Sequence, residues 1–341
     1  MSIGIRRRPT SFESRARRLG PGAVLGALVG VALAAWLLSS YGIVRILEVL
    51  ARIGWLGMSA VVVFHLPQMW CSALGWRAIA GRSDLPKRTW LLLRWIREGV
   101  NNLLPLAQIG GEFVVARLLR GRGMPLATAI GGTIGDLMLE MATQVVFTVL
   151  GVALLVQIVG HTETTALAIK GLLFAALAVA VAFIGVWLGL AAVIEKAVLR
   201  LGRSLGWPAT AQIDGLHAAL VGCFRATARV AASASWHLLS WLWGGVEVCL
   251  VLHFFGHDIG LGTGIIIESL GQAAKAVGFA VPGAIGVQEG GYVVVCRLLG
   301  IAPEVAIALS LVKRLREVLL GVPGLVLWHR IEAANGDRAV A

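Results

Sequence analysis

Residues 126–157 read LATAIGGTIGDLMLEMATQVVFTVLGVALLVQ. A helix crosses the roughly 30 Å hydrocarbon core of a bilayer with about 20 predominantly apolar residues, and this run exceeds that length. Only Asp136 and Glu140 carry charge in it. With Gln144 they fall at i, i+4 and i+8, one stripe down a helix, and Thr133 and Thr143 lie near it. A charge at bilayer depth costs at least roughly 2.5–3.5 kcal/mol, so each such residue is a functional candidate.

Working outward, further apolar runs cover 22–42, 54–75, 171–194 and 236–256, and a last span covers 303–328. Of 341 residues 58% are hydrophobic and 14% charged, with mean hydropathy +0.84, too little charge to cover a soluble domain of this size. The expected fold is therefore all-α and polytopic. The tail 1–21 holds Arg6, Arg7, Arg8, Arg15, Arg17 and Arg18 against Glu13, which places it in the cytoplasm by the positive-inside rule. The apolar run after it is too long for a cleaved signal peptide and is expected to be the first span. The net charge of +12 sits mostly beside the spans, so topology accounts for it and no nucleic-acid partner is expected.

Other features argue against metal or redox chemistry. Cys71, Cys223, Cys249 and Cys296 are widely spaced, without a CxxC pair. His253, His257 and Asp258 sit at a helix end around Gly256 and are not read as a metal site. Trp36, Trp55, Trp236, Trp241, Trp243 and Trp328 lie mostly near span ends, as an interfacial aromatic belt does. There is no phosphate-binding Gly-rich loop, nucleophile elbow or HExxH, and no cofactor is expected. The segment 195–230 alternates apolar and basic positions, which suits the anionic cytoplasmic surface. The chain is thus expected to form one transmembrane domain over 22–330, with a cytoplasmic tail at 331–341.

Two stretches are broken in the middle. Residues 89–123 contain Asn101-Asn102-Leu103-Leu104-Pro105 and Gly110-Gly111-Glu112; residues 262–300 contain Pro282-Gly283-Ala284-Ile285-Gly286-Val287-Gln288-Glu289-Gly290-Gly291. Pro and Gly interrupt helices, and freed backbone groups survive at membrane depth only beside protein or water. Each stretch is expected to be a re-entrant hairpin, giving about six full crossings and two hairpins. At an offset of 177 residues Pro105 meets Pro282, Glu112 meets Glu289 and Glu140 meets Glu317; Glu98 falls opposite Lys275 and Asp136 opposite Lys313. On the expected topology this is an inverted repeat, the transporter architecture whose site lies between broken helices near the midplane.

Beside the breaks lie further ionisable groups. Arg94, Arg97 and Glu98 precede the first break, with Arg94 and Glu98 able to pair at i,i+4. Glu268, Gln272 and Lys275 share one face before the second, and Lys313, Arg314, Arg316 and Glu317 interrupt the last span. These residues could conduct a polar headgroup or could merely pin helices together. Likewise Gly110, Gly111, Gly283 and Gly286 could admit a headgroup to half-helix termini or allow tight packing.

The motif from Asn101 through Glu112, then Arg117-Leu118-Leu119 and Gly123-Met124-Pro125, resembles the first signature of the lysylphosphatidylglycerol synthase transmembrane-region family. Pro282 through Gly291, then Leu299-Gly300-Ile301 and Lys313-Arg314, resembles its second; Gln288-Glu289-Gly290-Gly291-Tyr292 and Arg316-Glu317 are closest in wording to the hopanoid-biosynthesis-associated branch. The resemblance implies a multi-pass protein of the bacterial inner membrane that moves or presents lipids. Read with the buried charges and breaks, it gives an expected translocation path of Asn101, Asn102, Gly110, Gly111, Glu112, Asp136, Glu140, Glu268, Gln272, Lys275, Gly283, Gly286, Gln288, Glu289, Lys313, Arg314, Arg316 and Glu317, without catalytic residues. The soluble aminoacyl-transfer domain of the synthases is not in the sequence, so synthase activity is not expected. Expected partners are membrane lipids and lipid-biosynthesis enzymes. The alternatives are a membrane enzyme acting on a polyprenyl or triterpenoid lipid, with a carboxylate as base, and a scaffold for such enzymes.

Overall fold

The computed structural model describes residues 43–81, 84–104, 110–160, 162–189, 192–193, 195–196, 214–278 and 284–340. The basic tail, the expected first span 22–42, Pro105, Pro282 and Gly283 lie outside them, as does 197–213 of the amphipathic segment. The described residues form helices and no strands: α1 (Ile43–Ala80), α2 (Lys87–Leu103), α3 (Gly110–Arg120), α4 (Leu126–Val159), α5 (Glu163–Trp187), α6 (Leu216–Arg225), α7 (Thr227–Phe254), α8 (Leu261–Val277), α9 (Val287–Leu298) and α10 (Pro303–Val340).

Local sequence sets the boundaries. Pro86 and Pro125 immediately precede α2 and α4, and Pro303 opens α10, where its fixed φ suits a first turn and its missing N–H costs nothing. Thr162 and Thr165 exchange hydrogen bonds that start α5, eight residues before the apolar run expected at 171–194. Gly160, at φ 78, ends α4. Residues 43–53 form a helical segment continuous with the span expected at 54–75, through a break at Gly54 (φ 56).

Among the described residues four helices are long and apolar enough to cross a membrane: Leu50–Ala80, Leu126–Val159, Thr165–Trp187 and Thr227–Phe254. The chain is thus an all-α polytopic membrane protein. The expected last span lies on α10, 38 residues long with Lys313, Arg314, Arg316 and Glu317 in its first half. Helices α2 and α8 have 17 residues each, α3 has 11 and α9 has 12. At 1.5 Å per residue they are about 16–26 Å long, short of a crossing. They pack as pairs, α2 on α3 and α8 on α9, as re-entrant hairpins do.

The 177-residue echo extends to the boundaries. The span in α1 starts at Leu50 and α7 at Thr227; α3 starts at Gly110 and α9 at Val287; α4 starts at Leu126 and α10 at Pro303. Packing is reciprocal as well: α2 lies on α10, and α8 lies on α4. Glycines make both crossings close, Gly99 against Gly321 in one and Gly151 against Ser269 in the other. Helices α1 and α7 run antiparallel, because Ser72 meets Ser240 while His65, earlier in α1, meets Glu247, later in α7. An antiparallel pair of equivalent helices is what an inverted repeat places at its axis.

Two apolar cores flank this central pair. The first joins α2, α3 and α4 (Leu93, Ile96, Val115, Leu119, Ala129) to the end of α1 at Trp76 and Ile79. The second joins α8, α9 and α10 (Ile266, Tyr292, Val295, Ile307, Leu309) to the start of α1 at Ile53 and Val61 and to the end of α7 at Val251 and Phe255. We call these sets the first and second body. Helix α5 leaves most of its apolar stretch exposed and buries Val186 near its end against Leu220 and Val221 of α6, which also packs Cys223 inward.

Candidate functional site

In the first body the polar groups come from three helices. Arg94 and Arg97 on α2 are buried, and both reach the stripe on α4. Arg94 grips Glu140 with two parallel bonds of 3.0 and 2.7 Å and turns its Nε to Glu98 at 2.6 Å, the pair its spacing predicts. Arg97 donates to Asp136 at 2.5 Å and to Glu112 on α3 at 2.9 Å, and lies over the Trp76 ring. Asn101 ties the hairpin together: its amide donates to Glu112 and its carbonyl oxygen accepts the Gly111 N–H at 2.7 Å. A Cβ at Gly111 would sit 2.5 Å from the Arg97 carbonyl oxygen, so glycine there serves close packing of α3 on α2. Gly110 is buried beside it. Thr133 and Thr143 donate to their own helix, and Gln144 contributes its backbone carbonyl to Thr148.

In the second body the same scaffold carries a different pattern. Lys313 on α10 donates to Glu268 on α8, and Gln272 donates to the other oxygen of Glu268 at 2.9 Å. Lys275 does not join Glu268 on its own helix face; it reaches Glu317 at 2.7 Å. Glu289, in the first turn of α9, accepts from the Gly286 N–H at 2.6 Å and pairs with Arg314, an N-terminal position that also suits the helix dipole. Gln288 is buried, and its Oε1 lacks a hydrogen-bond partner among the described residues. Arg316 pairs with Glu247 on α7, and its buried Nε has no partner among the described residues.

The candidates from the sequence thus converge on two networks, in which buried carboxylates are matched by Arg or Lys. That matching meets the desolvation cost that isolated charges would incur. Sequence reasoning missed His65, His237 and Glu247. His237 Nε2 lies 2.9 Å from Asp136 and His65 Nδ1 lies 2.9 Å from Glu247, all four side chains buried. The rule that singled out Asp136 could have found Glu247, which stands alone among apolar residues and glycines in a span. His253 pairs with Asp258 at 2.6 Å on the surface.

Between the networks lies a narrow cleft. Helix α1 contributes His65 and Met69, α2 contributes Trp95, Glu98, Gly99 and Asn102, and α10 contributes Arg316, Glu317, Leu320 and Gly321. The cleft therefore opens between the two bodies against the central pair, with charged groups from both. Close approach of backbones shapes its floor: a Cβ on Gly99 would lie 2.8 Å from the Gly321 carbonyl oxygen, and Trp95 Nε1 donates to the Leu320 carbonyl at 2.6 Å.

No curated protein and no solved structure matches the chain. The family described as the lysylphosphatidylglycerol synthase TM region matches residues 23–324, which take in both bodies and the central pair. With two broken-helix signatures folded into paired short helices and a match over most of its length, the chain belongs to the lysylphosphatidylglycerol synthase transmembrane-region family, as a membrane protein of lipid-related function.

Proposed function

We propose that the protein is a lipid translocase of the bacterial inner membrane, with a cytoplasmic amino terminus, and not an enzyme. The observation that carries this reading is the cleft between the two bodies, lined by charges from both repeats on α2 and α10. A headgroup crossing lipid needs a polar surface at membrane depth, and inverted repeats place such a surface between their halves. Apolar tails would remain in the bilayer while the headgroup passes along Glu98, Asn102, Arg316 and Glu317. The lipid we favour is a hopanoid or a hopanoid precursor, because the Gln288-Glu289-Gly290-Gly291-Tyr292 wording is nearest to that branch. The other partners would be the enzymes that supply the lipid.

Asn102 lines the cleft without a side-chain hydrogen bond among the described residues, so Asn102→Leu narrows the path and leaves both networks intact. In liposomes, purified protein should accelerate exchange of a labelled hopanoid between leaflets, and Asn102→Leu should slow it at least about tenfold, a barrier change of roughly 1.4 kcal/mol. Exchange unaffected by this substitution would remove the cleft from the path; no exchange of any lipid would overturn the translocase reading.

A further inference from the structure

Each body is fastened to the central pair by a carboxylate that bridges an arginine and a histidine. In the first body Asp136 takes Arg97 of α2 on one oxygen and His237 of α7 on the other. In the second, Glu247 takes Arg316 of α10 on one oxygen and His65 of α1 on the other. In both triads the arginine belongs to a body and the histidine to the central pair. The positions are not equivalents in the repeat: at the 177-residue offset His65 falls opposite Leu242 and Arg97 opposite Ala274. The arrangement therefore arose twice on different residues. The central pair also touches the first body through Trp241 Nε1, which donates to Thr143, and through Trp76, whose ring lies under Arg97.

The surroundings of the two histidines differ in charge. His237 faces Asp136 and, one turn on, Glu140 of α4, with Arg94 and Arg97 of α2 behind them; α1 brings Gly75 against the ring. The first network has Arg94 and Arg97 against Glu98, Glu112, Asp136 and Glu140, so an added cation is matched. His65 faces Glu247 of α7, Arg316 and Glu317 of α10, and Glu98 of α2. In the second network Lys275, Lys313, Arg314 and Arg316 each hold one of Glu317, Glu268, Glu289 and Glu247, so a cation on His65 shares Glu247 with Arg316 and stands beside it.

We propose that His65 and His237 are proton-binding sites that transfer the grip of the central pair from the second body to the first. Imidazole is the side chain whose charge ordinarily changes between pH 5 and 8. When neutral, the ring nitrogen facing each carboxylate donates a hydrogen bond, and the other nitrogen holds the lone pair that accepts a proton. Protonation of His237 turns its bond to Asp136 into an ion pair and tightens the first body. Protonation of His65 puts a second cation on Glu247, repels Arg316 and loosens the second body. Opposite effects of one ligand on two contacts of a shared element bias a rocking motion, with the proton as effector.

This inference rests on the translocase reading only for the purpose of the motion. Its test reads distances and no lipid, so the two can fail separately. Spin labels at Val63 on α1, Phe113 on α3 and Val294 on α9 report both attachments from exposed positions. In nanodiscs, lowering the pH from 8 to 5 should raise a longer Val63–Val294 distance population about fivefold or more, the lower end of usual allosteric coupling. The Val63–Phe113 distance should hold or narrow. His65→Gln, which keeps a donor and cannot titrate, should abolish the response at Val294, and His237→Gln should leave it. A response that survives His65→Gln, one equal at both bodies, or none in the parent protein overturns the proposal. Should His65→Gln fail to fold, imidazole nitrogen shifts of the labelled parent protein decide: a His65 ring that keeps one charge state from pH 8 to pH 5 overturns it equally.

Discussion

The two bodies share a backbone plan and differ in how charge is written on it. Glu112 and Glu289 occupy equivalent places in the first turns of α3 and α9, and Glu140 and Glu317 equivalent places on the long helices. Between these fixed acids, Asp136 is replaced by Lys313 and Glu98 by Lys275, and the partners change with them. In the first body two guanidiniums on one short helix face carboxylates from three helices; in the second, cations and acids alternate between α8 and α10. A repeat thus preserves where a buried charge may stand, and leaves its sign to the partner across the gap. The network, not the residue, is the conserved physical unit.

This comparison breaks first at its most contrasted pair. Lys313→Met leaves Glu268 buried beside Gln272 and without its cation, and should cost about 3–5 kcal/mol in thermal or denaturant unfolding of the purified protein. Adding Glu268→Leu should restore much of that loss. Asp136→Met in the first body should cost as much, since Arg97 and His237 both lose a partner there, but no single second substitution should restore it. Equal rescue in both bodies would contradict the difference drawn between a pair and a network.

A smaller effect probes the reciprocal crossings. Gly99→Ala forces a Cβ to 2.8 Å from the Gly321 backbone, and Gly151→Ala forces one to 1.8 Å from the Ser269 hydroxyl. Backbone cannot yield as a side chain can. Gly99→Ala should therefore cost about 1–3 kcal/mol, and Gly151→Ala less, as Ser269 rotates away. Melting temperatures of the two variants decide the order. The smallest effect belongs to Gly286, at φ 81 ahead of α9. Gly286→Ala should cost about 1–2 kcal/mol through backbone strain, with the bond from its N–H to Glu289 retained.

Much of this was legible in the sequence because lipid imposes strong rules. Apolar length gave the spans, Pro and Gly marked the hairpins, and ionisable residues in apolar runs pointed to Arg97, Asp136, Glu268 and Lys313. The offset that aligned Glu112 with Glu289 also fixed the starts of α4 and α10. Pairing was less legible. Lys275 lies one face and seven residues from Glu268, yet α10 brings Glu317 closer, and helical spacing carries no information about a facing helix. His65 and His237 were passed over because an imidazole can be neutral and is no anomaly in an apolar run; only the facing carboxylates give them meaning. Helix ends shifted as well, since the capping threonines, and not the hydrocarbon edge, start α5.

The pairing of Arg94 and Arg97 with acids of α2, α3 and α4 has a consequence for biogenesis. Everything these guanidiniums need is complete once residue 140 has been made, so the first body can leave the insertion machinery with its arginines matched. Asp136, however, waits for its second partner His237, which is synthesised about 100 residues later, or roughly 5–20 s at ordinary elongation rates. For that interval one oxygen of a buried carboxylate stands open in the nascent first body, and the arrival of α7 fills it.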